Sequence, residues 1–349
     1  MAGVAIQKSL FMSINKKILV IAPAWVGDVV MSQSLIQLLK QKDPVAAIDV
    51  LAKEYLHPIL KRMPEVRNCL VSPFEHGELN LRERFKIAKD LRKNSYTHAY
   101  IIPNSFKSAL IPFWAKIPRR VGWCGEQRYF FVNDMRFYPK KIGLMVERFV
   151  SLGYEKSEKV PKDFPRPKLG VSSENVDAAL KRLQIKPSEN PILAVCPGAE
   201  HGSSKRWSWS HFAEVSKKKL EEGWEVWILG SKKEQEIAKE IQKYCDNSCV
   251  DLTGKTDLGE VIDLISMATA VVANDSGLMH IAAALDRPVV ALYGATLPTL
   301  APPLTKKSRA LSLNLPCSPC GKPECPFGHT KCLHDLKPEM VLAAITSII

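Results

Sequence analysis

The chain has 349 residues, enough for about two domains of ordinary size, and its 46% hydrophobic and 24% charged content is that of a water-soluble globular protein. No stretch approaches the roughly 20 uninterrupted apolar residues of a membrane span. The net charge of +13 excludes an acidic, self-repelling chain and is unevenly placed: residues 1–175 hold 29 Lys and Arg against 16 Asp and Glu, whereas residues 176–349 hold 20 of each. The first half is therefore expected to face something anionic, whether nucleic acid, a lipid surface or a phosphorylated substrate.

The first dozen residues, MAGVAIQKSLFM, lack a long apolar core and a small-residue cleavage site, so no signal peptide is read there. Met12 is a candidate alternative start, because regular patterning begins only at Lys16. From that point strands and helices alternate. The pattern predicts a buried strand over 17–23, a helix over 29–40 with Met31, Leu35, Leu38 and Leu39 on one face, and a strand over 47–51. A helix over 82–93 and a strand over 99–103 follow. The alternation lapses at EKSEKVPKDFPRPKLGVSSE, which reads as a linker closed by a helix over 175–183. It then restarts, with strands over 192–196, 225–229, 270–273 and 288–293, and helices over 209–222, 233–244, 258–268 and 277–285. This is the βαβ pattern of parallel sheets covered on both faces. It implies an α/β protein of two doubly wound domains, whose ligands would sit at the carboxyl ends of the strands and so in the cleft between them.

Four loops at predicted strand ends carry candidate chemistry. In the first, one glycine and then Asp28 stand where a dinucleotide site would need G-x-G-x-x-G; a carboxylate there would repel phosphate. Asp28 can cap the helix, serve as a general base for a hydroxyl nucleophile, or do both. In CPGAEHGSSKRW (residues 196–207), Lys205 either neutralises a diphosphate or is a solvated surface charge. In NDSGLMHIAAAL (residues 274–285), the N–H groups at the helix start form an anion site, unless Asp275 or Ser276 merely caps that helix. His280 lies about one turn in. The fourth, residues 104–126, combines Asn104, Ser105, Lys107 and Ser108 with Arg119, Arg120, Trp114 and Trp123. It suits phosphate or carboxylate groups, and no nucleic-acid-binding motif accompanies it.

Nine cysteines without an export signal argue against a disulfide framework. Four crowd into CSPCGKPECPFGHTKC. Cys317, Cys320, Cys325 and Cys332 suggest a structural zinc site, with an iron–sulfur cluster, reduced thiols in a Pro-rich loop or disulfides as alternatives. No D-x-D pair is spaced for a metal-dependent sugar transferase.

The motifs AWVGDVVMSQSL, NSFKSALIPF, CPGAEHGSSKRW and NDSGLMHIAAAL–RPVVALYG, taken in order, resemble the ADP-heptose:lipopolysaccharide heptosyltransferases of glycosyltransferase family 9, the type II enzymes above all. The resemblance runs from about residue 16 to the C-terminus. It implies a GT-B fold with an acceptor domain over 16–170, a linker over 171–190, an ADP-heptose domain over 191–335 and a C-terminal helix over 336–349. It implies inverting transfer of heptose to the first heptose of Kdo-modified lipid A, on the cytoplasmic side of the inner membrane in peripheral contact with it. No cofactor for catalysis and no nucleic acid are implied. Carried over residue by residue, the catalytic positions are Asp28 and Lys205, the donor-binding ones Asp275, Ser276, Gly277 and His280, and the acceptor-binding ones Asn104, Ser105, Lys107 and Arg120. Heptosyltransferases I or III, with the same donor and another acceptor, are the alternative reading. A nucleotide-sugar epimerase and a non-catalytic anion-binding protein are the other classes to separate from it.

Overall fold

A computed structural model describes residues 16–138, 143–200 and 202–349. The N-terminal stretch lies outside the described residues, and with it the expectations of an alternative start at Met12 and of no signal peptide.

The chain builds two six-stranded parallel sheets. The first comprises β1 Lys17–Ile21, β2 Ala47–Ala52, β3 Val66–Val71, β4 His98–Ile101, β5 Arg119–Trp123 and β6 Asp134–Arg136, in the order β3-β2-β1-β4-β5-β6. The second comprises β7 Ile192–Cys196, β8 Glu225–Ile228, β9 Val250–Asp251, β10 Ala270–Asn274, β11 Val289–Leu292 and β12 Ser308–Leu311, in the order β12-β11-β10-β7-β8-β9. In each, the chain starts in the middle and reverses direction, so the ends of β1 and β4, and of β7 and β10, flank a switch point where ligands bind. The central strands are near-continuous apolar runs such as ILVI and ILAVC, as parallel strands buried on both faces require.

The helix Val26–Lys42 explains the odd stretch MSQS. Met31, Ser32, Gln33 and Ser34 are all buried, because the helix lies between the first sheet and the second domain and has no wet face. The buried polar atoms are largely answered: Ser32 Oγ donates to the Val29 carbonyl at 2.7 Å, and Gln33 exchanges bonds with both backbone groups of Lys168 at 2.8 Å. The same helix packs on the helix Met145–Ser151 and on the helix Gly277–Ala284 of the second domain. One apolar cluster therefore runs through the junction, from Val20 and Val29 to Met279 and Ala273. Arg62 pairs with the nearly buried Asp263 at 2.6 Å, and the Met145 N–H donates to the Leu300 carbonyl at 2.7 Å, tying the domains at two further points.

The interdomain segment holds the helix Ser173–Leu183, which packs on the second domain's helix Leu258–Met267. The closing helix, Pro338–Thr346, sits on the helix Trp209–Glu221 and the second sheet through Val341 and Ile345. No helix among the described residues is long and apolar enough to cross a membrane.

Candidate active site

Asp28 does not cap its helix. The helix begins at Val26, its N-cap is Trp25 with no side-chain cap, and Asp28 is the third helical residue, its carboxyl half-buried at the domain junction. Burial there pushes its pKa up from 3.8 to about 6; nearby Lys205 pulls it down and Asp275 pushes it up. It therefore titrates close to neutrality, where a general base is most useful.

The second domain meets it with a compact ionic group. Lys205, at the end of the turn Ser203–Lys205, donates from Nζ to Asp275 Oδ2 at 2.7 Å, and both side chains are largely enclosed. Thr296 Oγ1 donates to the same oxygen at 2.6 Å. Asp275 thus neither caps the helix nor is solvated: it orients the lysine. Asn274 fixes the loop that carries Lys205, accepting from the Trp207 N–H at 3.0 Å and donating to the Pro197 carbonyl at 2.8 Å.

The helix Gly277–Ala284 opens into this group. Ser276 holds its N-cap position, yet its hydroxyl makes no cap and is buried without a partner among the described residues. That leaves the hydroxyl and the first N–H groups of the helix ready for an anion. His280 is buried behind them, and burial drives its pKa down to about 4, so it is neutral. Its ring lies against Gly27: a Cβ there would stand 2.7 Å from His280 Cδ2. Reciprocally, a Cβ on Gly277 would stand 2.6 Å from Val26 Cβ. The two glycines let the opening turns of two helices from different domains touch, and that contact places Asp28 beside Lys205.

The fourth segment is not one loop: it contains the helix Phe106–Trp114 and the whole of β5, so Asn104, Ser105 and Lys107 lie at the carboxyl end of β4, whereas Arg119 and Arg120 open β5 at the other end of the sheet. Asn104 is exposed, Ser105 is the N-cap of the helix Phe106–Trp114, and Lys107 is half-buried in its first turn. Arg128, which the motif reading passed over, organises the loop. Fully enclosed, it donates to the carbonyls of Trp123, Pro103 and Ser105 and to Ser108 Oγ, with its pKa lowered by burial to about 10. Arg120 is otherwise engaged: Nε donates to the Phe131 carbonyl at 2.7 Å and Nη1 to that of Ile117 at 2.6 Å, with the guanidinium over Phe113.

The zinc reading of the cysteine cluster is not supported. All nine cysteines are free, and no group of three or more His, Cys, Asp or Glu side chains among the described residues is placed to hold a metal. Cys317, Cys320, Cys325 and Cys332 are neighbours, and each of the first three acts on the titration of Cys332. Backbone N–H groups of the following turn, Thr330's first, lower the pKa of Cys325. Cys332 turns inward beneath Gly294, 3.1 Å from where a Cβ there would lie, and burial raises its pKa.

The family model of glycosyltransferase family 9 (heptosyltransferase) matches residues 84–331. The chain belongs to this family. It is 43% identical to the lipopolysaccharide heptosyltransferase 2 of Salmonella typhimurium over 95% of its own length and 98% of the relative's. It is 42% identical to the lipooligosaccharide heptosyltransferase 2 of Haemophilus influenzae, covering 95% and 99%. Its fold superposes on the structure of E. coli ADP-heptose lps heptosyltransferase II with a TM-score of 0.85, at 40% identity and covering 95% and 98% of the two chains. The expected GT-B architecture and glycosyltransferase membership are thus both met.

Proposed function

We propose that this glycosyltransferase is the second heptosyltransferase of the lipopolysaccharide inner core: it transfers heptose from ADP-heptose, with inversion, to the first heptose of heptosyl-Kdo2-lipid A. The single observation that carries the reading is the half-buried Asp28 carboxyl held beside the Lys205–Asp275 pair by the Gly27–His280 contact. In the reaction the carboxylate takes the proton from the acceptor hydroxyl as that oxygen bonds to the anomeric carbon. The bond from that carbon to the ADP oxygen breaks on the opposite face, which inverts the centre. Lys205, the Ser276 hydroxyl and the helix-start N–H groups take up the charge developing on the diphosphate. Asp275 and Thr296 keep the lysine aimed, and neutral His280 sets the distance between the domains.

The first domain would hold the acceptor, at Asn104, Ser105 and Lys107, and the second the donor. The basic first half suits an anionic glycolipid whose acyl chains stay in the membrane, so the protein would work in peripheral contact with the cytoplasmic face of the bilayer. The test is the product formed from three acceptors, bearing no, one or two heptoses. Transfer to the mono-heptosyl acceptor alone, with an α-linkage by NMR, is the expected result. Transfer only to the heptose-free or the di-heptosyl acceptor would give the type I or type III reading instead, and donor turnover with no glycolipid would favour an epimerase.

A further inference from the structure

A cavity of about 470 Å³ opens in the first domain between β5, β6 and the helix Met145–Ser151. Three N–H donors on its walls are buried without a partner among the described residues: Trp123 Nε1, Arg136 Nε and Arg148 Nε. Trp123 and Arg136 are only 4% and 6% exposed. Orphaned donors of this kind are rare, and three on one cavity mark a place for an acceptor.

Their convergence is built by the fold. Trp123 and Arg136 are register partners on neighbouring parallel strands, so their side chains leave the sheet on one face. The helix Met145–Ser151 covers that face through Val146, Phe149 and Val150, which share the core cluster with Trp123. Tyr138 bridges to Arg148, stacking on Trp123 at 4.5 Å between ring centroids with the guanidinium 5.2 Å from its own. The Asn104 side chain lies beside the Tyr138 hydroxyl, joining the cavity to the acceptor loop.

The carboxylates nearby are occupied. Asp134 alone is shared by Arg119 at 2.8 Å, Arg136 Nη2 at 3.1 Å and Lys156 at 3.7 Å. Glu155 pairs with Arg119 at 2.8 Å, and Glu147 accepts from the Leu144 N–H at 3.0 Å. Glu158, the third carboxylate on the walls, accepts from the Glu155 N–H at 2.9 Å and pairs with Lys42 at 3.5 Å. With these carboxylates engaged, the three N–H donors of Trp123, Arg136 and Arg148 are the wall groups left without an acceptor among the described residues.

We infer that Trp123, Arg136 and Arg148 form an oxyanion site for the acidic part of the acceptor, a sugar carboxylate or phosphate next to the heptose that is glycosylated. This rests on the acceptor reading above. It assigns to Arg136 and Arg148 the role that Arg120, held by backbone carbonyls, does not fill. A guanidinium and an indole N–H together favour a carboxylate or phosphate over a neutral hydroxyl.

The test needs two readouts. In the first, the whole protein is titrated with a free 2-keto-3-deoxy sugar acid, and separately with inorganic phosphate, while the indole N–H resonances are followed by NMR; Trp123→Phe assigns the Trp123 signal. A saturable shift of that signal, lost in Arg148→Gln, is expected. No shift with either anion overturns the site, whatever the enzyme transfers. In the second, acceptor KM is measured for Arg148→Gln and Trp123→Phe with native acceptor, acceptor with amidated carboxylates, and dephosphorylated acceptor. KM should rise about tenfold on native acceptor at near-constant kcat and donor KM, the effect of one charge-assisted hydrogen bond. The rise should vanish on whichever modified acceptor lacks the bound group, which identifies carboxylate or phosphate. Equal losses on all three acceptors would make the residues merely structural. Wild-type protein inert on every acceptor, with the NMR shift present, would instead fault the transfer reading and leave the anion site standing.

Discussion

Replacing Asp28 by Asn should make the protein more stable while it removes the base. The pKa of the folded-state carboxyl is about 6, against 3.8 unperturbed, because ionising it at the junction forfeits hydration. A group whose folded pKa is raised opposes folding wherever it is ionised. The penalty is absent below about pH 4, grows between pH 4 and 6, and is complete above 6. Two pKa units correspond to roughly 3 kcal/mol, a ceiling because the carboxyl keeps some contact with water. Asparagine is nearly isosteric and carries no charge. The variant should therefore exceed wild type by about 1–3 kcal/mol at pH 7.5, a Tm gain on the order of a few degrees. The gap should close toward pH 4. Urea and thermal unfolding of both proteins at pH 7.5, 6 and 4 measure it. A variant no more stable than wild type at pH 7.5, or a gap indifferent to pH, would refute the reasoning.

Three further outcomes follow from the same geometry. Turnover of wild type should fall on acidification with an apparent pKa near 6; because Lys205 holds the Asp28 pKa down, Lys205→Met should move that limb to higher pH as well as cutting kcat about a hundredfold or more, which a pH–rate profile reads. Gly27→Ala should drive a methyl into His280, costing about 1–3 kcal/mol in urea unfolding and parting Asp28 from Lys205, so that activity falls further than stability explains. Arg128→Met should strand the carbonyls of Trp123, Pro103 and Ser105 and cost about 2–4 kcal/mol in the same assay, with acceptor KM affected before donor KM.

The long, strongly patterned elements were legible in the sequence. Ile192–Cys196 lies where ILAVC predicts a strand, and the helix Leu258–Met267 ends one residue from its predicted limit. Short edge elements were not: β6 is three residues and β9 two, too brief to show any period, and the helix Phe106–Trp114 contains Pro112, which argues against a helix. The helix Val26–Lys42 begins three residues before its apolar pattern, and that extra first turn packs at Val26 against Gly277 of the other domain, a contact the local sequence does not announce. Asp28, Lys205 and Asp275 could each be singled out as polar residues after a strand. That they meet depends on contacts between residues far apart in the chain, Gly27 with His280 and Lys205 with Asp275. The same holds for Trp123, Arg136 and Arg148, which share a cavity only through strand register and helix cover. Cysteine spacing shows that four thiols can be neighbours but not whether their sulfurs reach metal-binding distance of one another, and among the described residues no such group forms.

The most direct test is ADP release from ADP-heptose, with and without the mono-heptosyl inner-core acceptor, by wild type and by Asp28→Asn. Release that requires the acceptor and collapses in a variant that is folded and more stable is the predicted result. Undiminished acceptor-dependent release by the variant would contradict the central claim, since the base would then lie elsewhere in the cleft.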